Sequence, residues 1–181
     1  MAEESFTPAE RERLRDLLIR DEIMQCLYRY ARGLDRHDDD LIASAFWPDA
    51  EVNYLEDFSG SRDPFVDWGN RLHDSKYEIH QHHLTTRNVD VDGDTAHVES
   101  YVIYMLRSPE KLQYLGSGRY IDKCERRDGE WRIALREFVP EMRIAAEDHS
   151  SYERADPPGP SYWDKRDISY LRPMRRRNGE D

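Results

Sequence analysis

Residues 79–107, IHQHHLTTRNVDVDGDTAHVESYVIYMLR, decide the fold class. Val, Ile, Tyr and Thr alternate with polar residues on both sides of Asp92-Gly93-Asp94, which reads as two strands joined by a tight turn. Glycine supplies the positive backbone angle such a turn needs. The pattern continues through Leu112 to Arg126 and Glu130 to Met142, with Asp128-Gly129 as a second turn. Four long strands in succession predict an antiparallel meander.

Upstream, the period changes from two to that of a helix. Thr7-Pro8-Ala9-Glu10 combines a capping threonine, a proline at the first helical position and a glutamate that completes a capping box. Apolar residues at Leu14, Leu17, Leu18, Ile23, Leu27, Tyr28, Ala31 and Leu34 predict one long helix, or two collinear ones adjusting near Arg20-Asp21. Asp38 to Asp40 cap a short helix through Phe46, and Ala50 to Leu55 should form a strand. Gly60 to Asp63 read as a turn, and Asp63-Pro64 opens a third helix carrying Phe65, Val66, Trp68 and Leu72. The order predicts an α+β domain over residues 1–147, its N-terminal helices packed on a strongly curved, mostly antiparallel sheet. Residues 148–181 contain Pro157-Pro158-Gly159-Pro160 and read as an extended C-terminal arm. Tyr162, Trp163, Tyr170 and Leu171 make that arm apolar enough to cover its own domain or a neighbouring subunit.

The 181 residues carry 27 Lys+Arg against 38 Asp+Glu, a net charge of -11, so nucleic acid is not an expected partner. Mean hydropathy is -0.97 and no stretch reaches membrane-spanning length, which argues against a membrane partner. The amino terminus lacks the pattern of a secretory signal, so a cytoplasmic location is expected. Cys26 and Cys124 have neither CxxC spacing nor a disulfide framework and read as buried thiols.

Chemistry is expected where Asp35 ends the first helix and a histidine arrives on a later strand, an acid–base pair that needs no cofactor. Within His80-Gln81-His82-His83, strand alternation places His80 and His82 on one face and His83 on the other. The run alone does not present three metal ligands, and no metal is expected. Asp38 to Asp40 are better explained as a helix start than as a magnesium site.

The segments IMQCLYRYARGLDRHDDDLIASAFWPDAEV (23–52), HHLTTRNVDVDGDTAHVESY (82–101) and GRYIDKCERRDGEWRI (118–133) resemble the SnoaL-like branch of the nuclear transport factor two-like superfamily. That branch includes scytalone dehydratase, bile acid dehydratase, hexachlorocyclohexane dehydrochlorinase and a diarylpropane lyase. The resemblance implies a cone-shaped α+β barrel around a hydrophobic pocket. It also implies a catalytic set of Tyr30, Asp35 and His83, with Tyr54 as a second tyrosine donor. Phe46, Trp47, Trp68 and Arg87 are the expected substrate-binding residues; Arg87 departs from the family, where many relatives carry Asn. The implied activity is that of a cofactor-independent lyase on a hydroxylated aromatic or polycyclic small molecule, losing water or, by retro-aldol type cleavage, formaldehyde. Alternatives on the same fold are a ketosteroid- or polyketide-type isomerase, a ligand-binding protein, or the small subunit of an aromatic-ring dioxygenase. A homo-oligomer is implied, with a trimer favoured, and a role in aromatic compound catabolism.

Overall fold

The computed structural model describes residues 6–110, 112–147 and 162–173. Helix α1 (Pro8–Asp35) starts at the expected capping box, with Thr7 accepting from the Glu10 amide and the Glu10 carboxylate accepting from the Thr7 amide. It runs unbroken past Arg20. Only its second half buries a face: Ile23, Leu27, Tyr30 and Leu34 recur at helical spacing and enter the core, whereas Leu14, Leu17 and Leu18 are exposed.

The chain turns sharply after α1. Gly33 O accepts from the amides of Arg36 and Asp38, and His37 takes a positive φ of 44°. A Cβ on Gly33 would stand 2.7 Å from the Ile42 amide nitrogen, so glycine lets helix α2 (Asp39–Ser44) lie directly against α1. Asp38 caps α2, accepting from the Leu41 amide. The helix stops at Ser44, two residues earlier than expected, because Phe46 already belongs to strand β1 (Phe46–Tyr54). Pro48 sits in the irregular stretch between Phe46 and Glu51, where the pairing with the neighbouring strand shifts and no ladder amide is required. Strand β2 (Phe58–Ser61) occupies part of the expected turn, and helix α3 (Arg62–Lys76) follows.

Strands β3 (Ile79–Asp92), β4 (Thr95–Arg107), β5 (Leu112–Arg127) and β6 (Glu130–Glu147) form the predicted meander. The sheet order is β2-β1-β6-β5-β4-β3, antiparallel throughout except for the β1–β6 pair. Two edges remain, so the curved sheet does not close and the three helices pack on an open mixed sheet. Phe46, Val52, Phe65, Val98, Val102, Tyr120 and Ile133 meet the α1 face in one core.

An ion pair lies inside that core. Arg136 donates from Nε and Nη2 to the two carboxylate oxygens of Asp122 at 2.7 and 2.8 Å, with both side chains fully buried. The guanidinium carbon sits 4.1 Å from the centre of the Tyr30 ring and 4.2 Å from that of Tyr120. Cys26 and Cys124 are free, buried thiols, as expected.

The described part of the C-terminal segment folds back on the α1–α2 turn. Tyr170 donates to Asp38 at 2.8 Å, Arg36 pairs with Asp167, and Trp163 stacks on His37 with ring centres 4.5 Å apart. The remainder of the expected arm lies outside the described residues. Among the described residues, no helix is long and apolar enough to cross a membrane.

Candidate active site

Asp35 emerges from the last residue of α1 onto the inner face of β3. Its Oδ1 accepts from His82 Nδ1 at 2.8 Å, and its Oδ2 accepts from the His82 backbone amide at 3.0 Å. Two contacts to one residue fix both the carboxylate and the imidazole, and leave Nε2 as the ring nitrogen available for proton transfer. The expected partner, His83, is corrected to His82. His80, His82 and Leu84 face inward on β3, and His83 is exposed on the other side of the strand.

Beyond His82 lies a cavity of about 140 Å³ between α1, α3 and the sheet. Tyr30, Tyr54, Tyr120, Phe65, Trp68 and Phe138 form its aromatic wall, and His73, His82, Tyr104 and Arg143 add polar groups. Tyr30 and Tyr54 come together there, their hydroxyls 2.5 Å apart. Burial pushes both phenols up, against the pull of Arg136; Tyr54 and Tyr120 stand well above the ordinary range. These hydroxyls are therefore protonated at neutral pH.

Of the expected substrate-binding residues, Trp68 lines the cavity. Three other expected binding residues do not. Phe46 is fully buried behind the wall, edge-on to Tyr30 with centres 5.6 Å apart, so it supports that tyrosine from the core. Trp47 points to the opposite side of β1, its indole N–H donating to Glu125 O and its ring flanked by Arg127 and Arg132. Arg87 is exposed and donates to the Tyr28 hydroxyl, beyond a bulge in β3 that turns it away from the site. Tyr120 and Phe138 were not anticipated, although Gly116, Gly118 and Tyr120 share one face of β5 by simple alternation.

Next to the dyad is a cluster of imidazoles. His73 stacks on His80 with centres 4.2 Å apart, and His80 Nε2 is 3.2 Å from His37 Nε2. Burial, helped by the neighbouring histidines, pushes the His73 imidazole down to about 3 and lowers His80 further. Burial also lowers His37. These rings are neutral at physiological pH.

Residues 15–137 match the family model of the SnoaL-like domain. The chain belongs to the SnoaL-like family. Its α+β fold is shared with solved structures of wide sequence divergence. A candidate scytalone dehydratase from Novosphingobium aromaticivorans is 25% identical, with a TM-score of 0.65 over 76% of this chain and 97% of that one. A type 3 hexachlorocyclohexane dehydrochlorinase from Novosphingobium barchaimii is 20% identical, with a TM-score of 0.69 over 74% of this chain and 93% of that one. A candidate aromatic ring hydroxylase from Novosphingobium aromaticivorans is 23% identical, with a TM-score of 0.62 over 71% of this chain and 94% of that one. The last two demonstrate shared fold only. A search of curated proteins gives no significant match.

Proposed function

We propose that this SnoaL-like protein is a cofactor-independent lyase acting on a hydroxylated aromatic compound. The carrying observation is the two-point Asp35–His82 contact at the wall of an aromatic cavity. His82 Nε2 takes a proton from a substrate carbon, and Asp35 steadies the imidazolium that forms. The electron pair left on carbon becomes the new double bond as the C–O bond breaks. The departing hydroxyl takes a proton from the Tyr30–Tyr54 pair and leaves as water; transfer of the His82 proton back to the phenolate through solvent completes the cycle. Removal of a hydroxymethyl O–H proton instead would turn that C–O bond into the C=O of formaldehyde as the C–C bond breaks, its electron pair passing to the remaining carbon, which takes a proton from the Tyr30–Tyr54 pair. The cavity is close in size to one of about 150 Å³ that holds benzene, so it accommodates at least one substituted ring.

The test is turnover of a panel of hydroxylated aromatics by the isolated chain, with product mass distinguishing loss of water, loss of formaldehyde and isomerisation. Folded His82→Ala and Asp35→Asn variants should lose about 10²–10⁴-fold in rate, the usual contribution of a positioned general base. His83→Ala should retain full turnover. Activity that survives in His82→Ala, or disappears in His83→Ala, refutes the assignment. An isolated chain inactive on every compound would favour the ligand-binding or small-subunit alternative.

The same reading includes a homo-oligomer. Met105, Leu115 and Ile144 lie in register across β4, β5 and β6, with Ile103 and Met142 in the adjacent row, and all five are exposed on the outer sheet face. A trimer burying this face is the expected state. Light scattering that gives a monomer at micromolar concentration would overturn it.

A further inference from the structure

Three donor atoms converge where α1 ends against β3. One ligand atom from each of Asp35, His80 and His82 lies within 4.8 Å of the other two. Asp35 is 2.8 Å from His82 and 3.9 Å from His80. His80 is 2% exposed, and its Nδ1 has no hydrogen-bond partner among the described residues. A polar atom orphaned at that depth is destabilising unless something engages it.

The surroundings of His80 match those of a metal-bound imidazole. Such a ring uses one nitrogen on the ion while the other is held by an outer partner that fixes its tautomer. Here His37 Nε2 stands at 3.2 Å from His80 Nε2, and His37 is in turn stacked under Trp163 of the C-terminal segment. If His80 donates from Nε2, its Nδ1 presents a lone pair towards the Asp35 carboxylate, an arrangement that a cation between them would stabilise. Ligand atoms around tetrahedral zinc lie about 3.3 Å apart for bond lengths of about 2.0–2.1 Å. The observed 2.8 and 3.9 Å fall on either side of that spacing.

We propose that Asp35, His80 and His82 form a binding site for a divalent transition-metal ion of the zinc class. Two imidazoles and one carboxylate favour zinc or cobalt over magnesium and calcium, which require oxygen-rich ligand sets. The sequence shows His80 and His82 on one strand face; the third ligand becomes visible only when α1 delivers Asp35 to it. Binding displaces the proton between His82 Nδ1 and Asp35 into solvent and engages both groups. A metal-filled protein therefore has no Asp35–His82 dyad, and on the lyase reading above the ion is an inhibitor.

Binding is measured without substrate, so it stands or falls separately from the lyase reading. Tag-free full-length protein is stripped with chelator and titrated with Co²⁺, followed by visible absorption, and with Zn²⁺ in equilibrium dialysis. The expected result is one Co²⁺ per chain with the bands of a four- or five-coordinate site, displaced by Zn²⁺ and insensitive to Mg²⁺. His80→Gln and Asp35→Asn should each weaken binding by more than about tenfold, and His37→Phe by about 10–100-fold as an outer partner. His83→Gln should bind like the parent. The proposal is overturned if the parent shows no saturable binding, if a folded His80→Gln protein binds as tightly, or if His83→Gln abolishes binding. Should His80→Gln fail to fold, unchanged binding in both Asp35→Asn and His37→Phe overturns it equally.

Discussion

Replacing Asp122 by Ala tests how the cavity wall is held in place. The substitution leaves the Arg136 guanidinium fully buried between Tyr30 and Tyr120 with its paired carboxylate removed. Burial opposes the Arg136 charge, and Asp122 more than offsets it, which raises the Arg136 pKa well above the usual value. Breaking a buried pair from one side costs about 3–5 kcal/mol, because the surviving charge has no solvent to return to. The two aromatic faces recover part of this, at about 1–2 kcal/mol for a desolvated cation–π contact, so the loss should fall near 3 kcal/mol. For a chain of this length, each kcal/mol moves the melting temperature by about 2–4 °C, giving a drop of about 6–12 °C. The assay is urea unfolding followed by circular dichroism, on Asp122→Ala, Arg136→Met and the Asp122→Leu/Arg136→Met double variant. The double variant should return to within about 1 kcal/mol of the parent, since apolar side chains of similar volume replace such pairs without loss. A loss below about 1 kcal/mol in Asp122→Ala, or a double variant as unstable as the single ones, would refute this account of the core.

Other outcomes follow from the same geometry. The pKa values of Tyr30, Tyr54 and Tyr120 are raised on folding, so their stabilisation is complete below the unfolded tyrosine value near 10 and is lost as pH climbs from there towards the folded values. Urea midpoints should be level to about pH 8, decline from there as burial keeps the Cys26 and Cys124 thiols from ionising, and fall more steeply above about pH 10, by up to about 1.4 kcal/mol per pH unit per tyrosine, with a shallower fall in Tyr54→Phe. Gly116→Ala would put a Cβ 2.1 Å from the Tyr104 ring, forcing that cavity-lining side chain to move at about 1–3 kcal/mol; Tyr104→Ala in the same chain should relieve the clash. Tyr170→Phe removes the hydroxyl donated to the Asp38 carboxylate and should cost about 1.5–3 kcal/mol by thermal melting, provided the C-terminal segment stays docked on the α1–α2 turn.

Much of the architecture is legible in the sequence because local rules and tertiary packing agree there. The meander follows from strand alternation and two Asp-Gly turns, and the start of α1 from its capping box. β2 is hidden because its four residues, Phe58 to Ser61, carry a turn-like Ser-Gly-Ser. The choice between His82 and His83 was not legible for a different reason. Val89 and Val91 face inward, and their parity carried back along the strand would turn His83 inward too. The register shift between Leu84 and Arg87 reverses that parity, so His80 and His82 face the cavity side. Phe46 and Trp47 are aromatic in the expected region, yet aromatic character does not distinguish a wall from the layer behind it. The apolar stripe of α1 likewise looks continuous, and only the extent of the sheet determines that Leu14, Leu17 and Leu18 project beyond it.

The stacking of Trp163 on His37 gives the protein a built-in optical gauge. The chain has four tryptophans, of which Trp68 lines the cavity and Trp163 touches the imidazole cluster, edge-on to His80 at 6.1 Å between centres. An aromatic ligand in the cavity would perturb the emission of the first indole, and the proposed ion at His80 would perturb that of the second. Difference spectra of single Trp68→Phe and Trp163→Phe variants against the parent therefore isolate these two signals from those of Trp47 and Trp131, one for each kind of occupant, with no label attached.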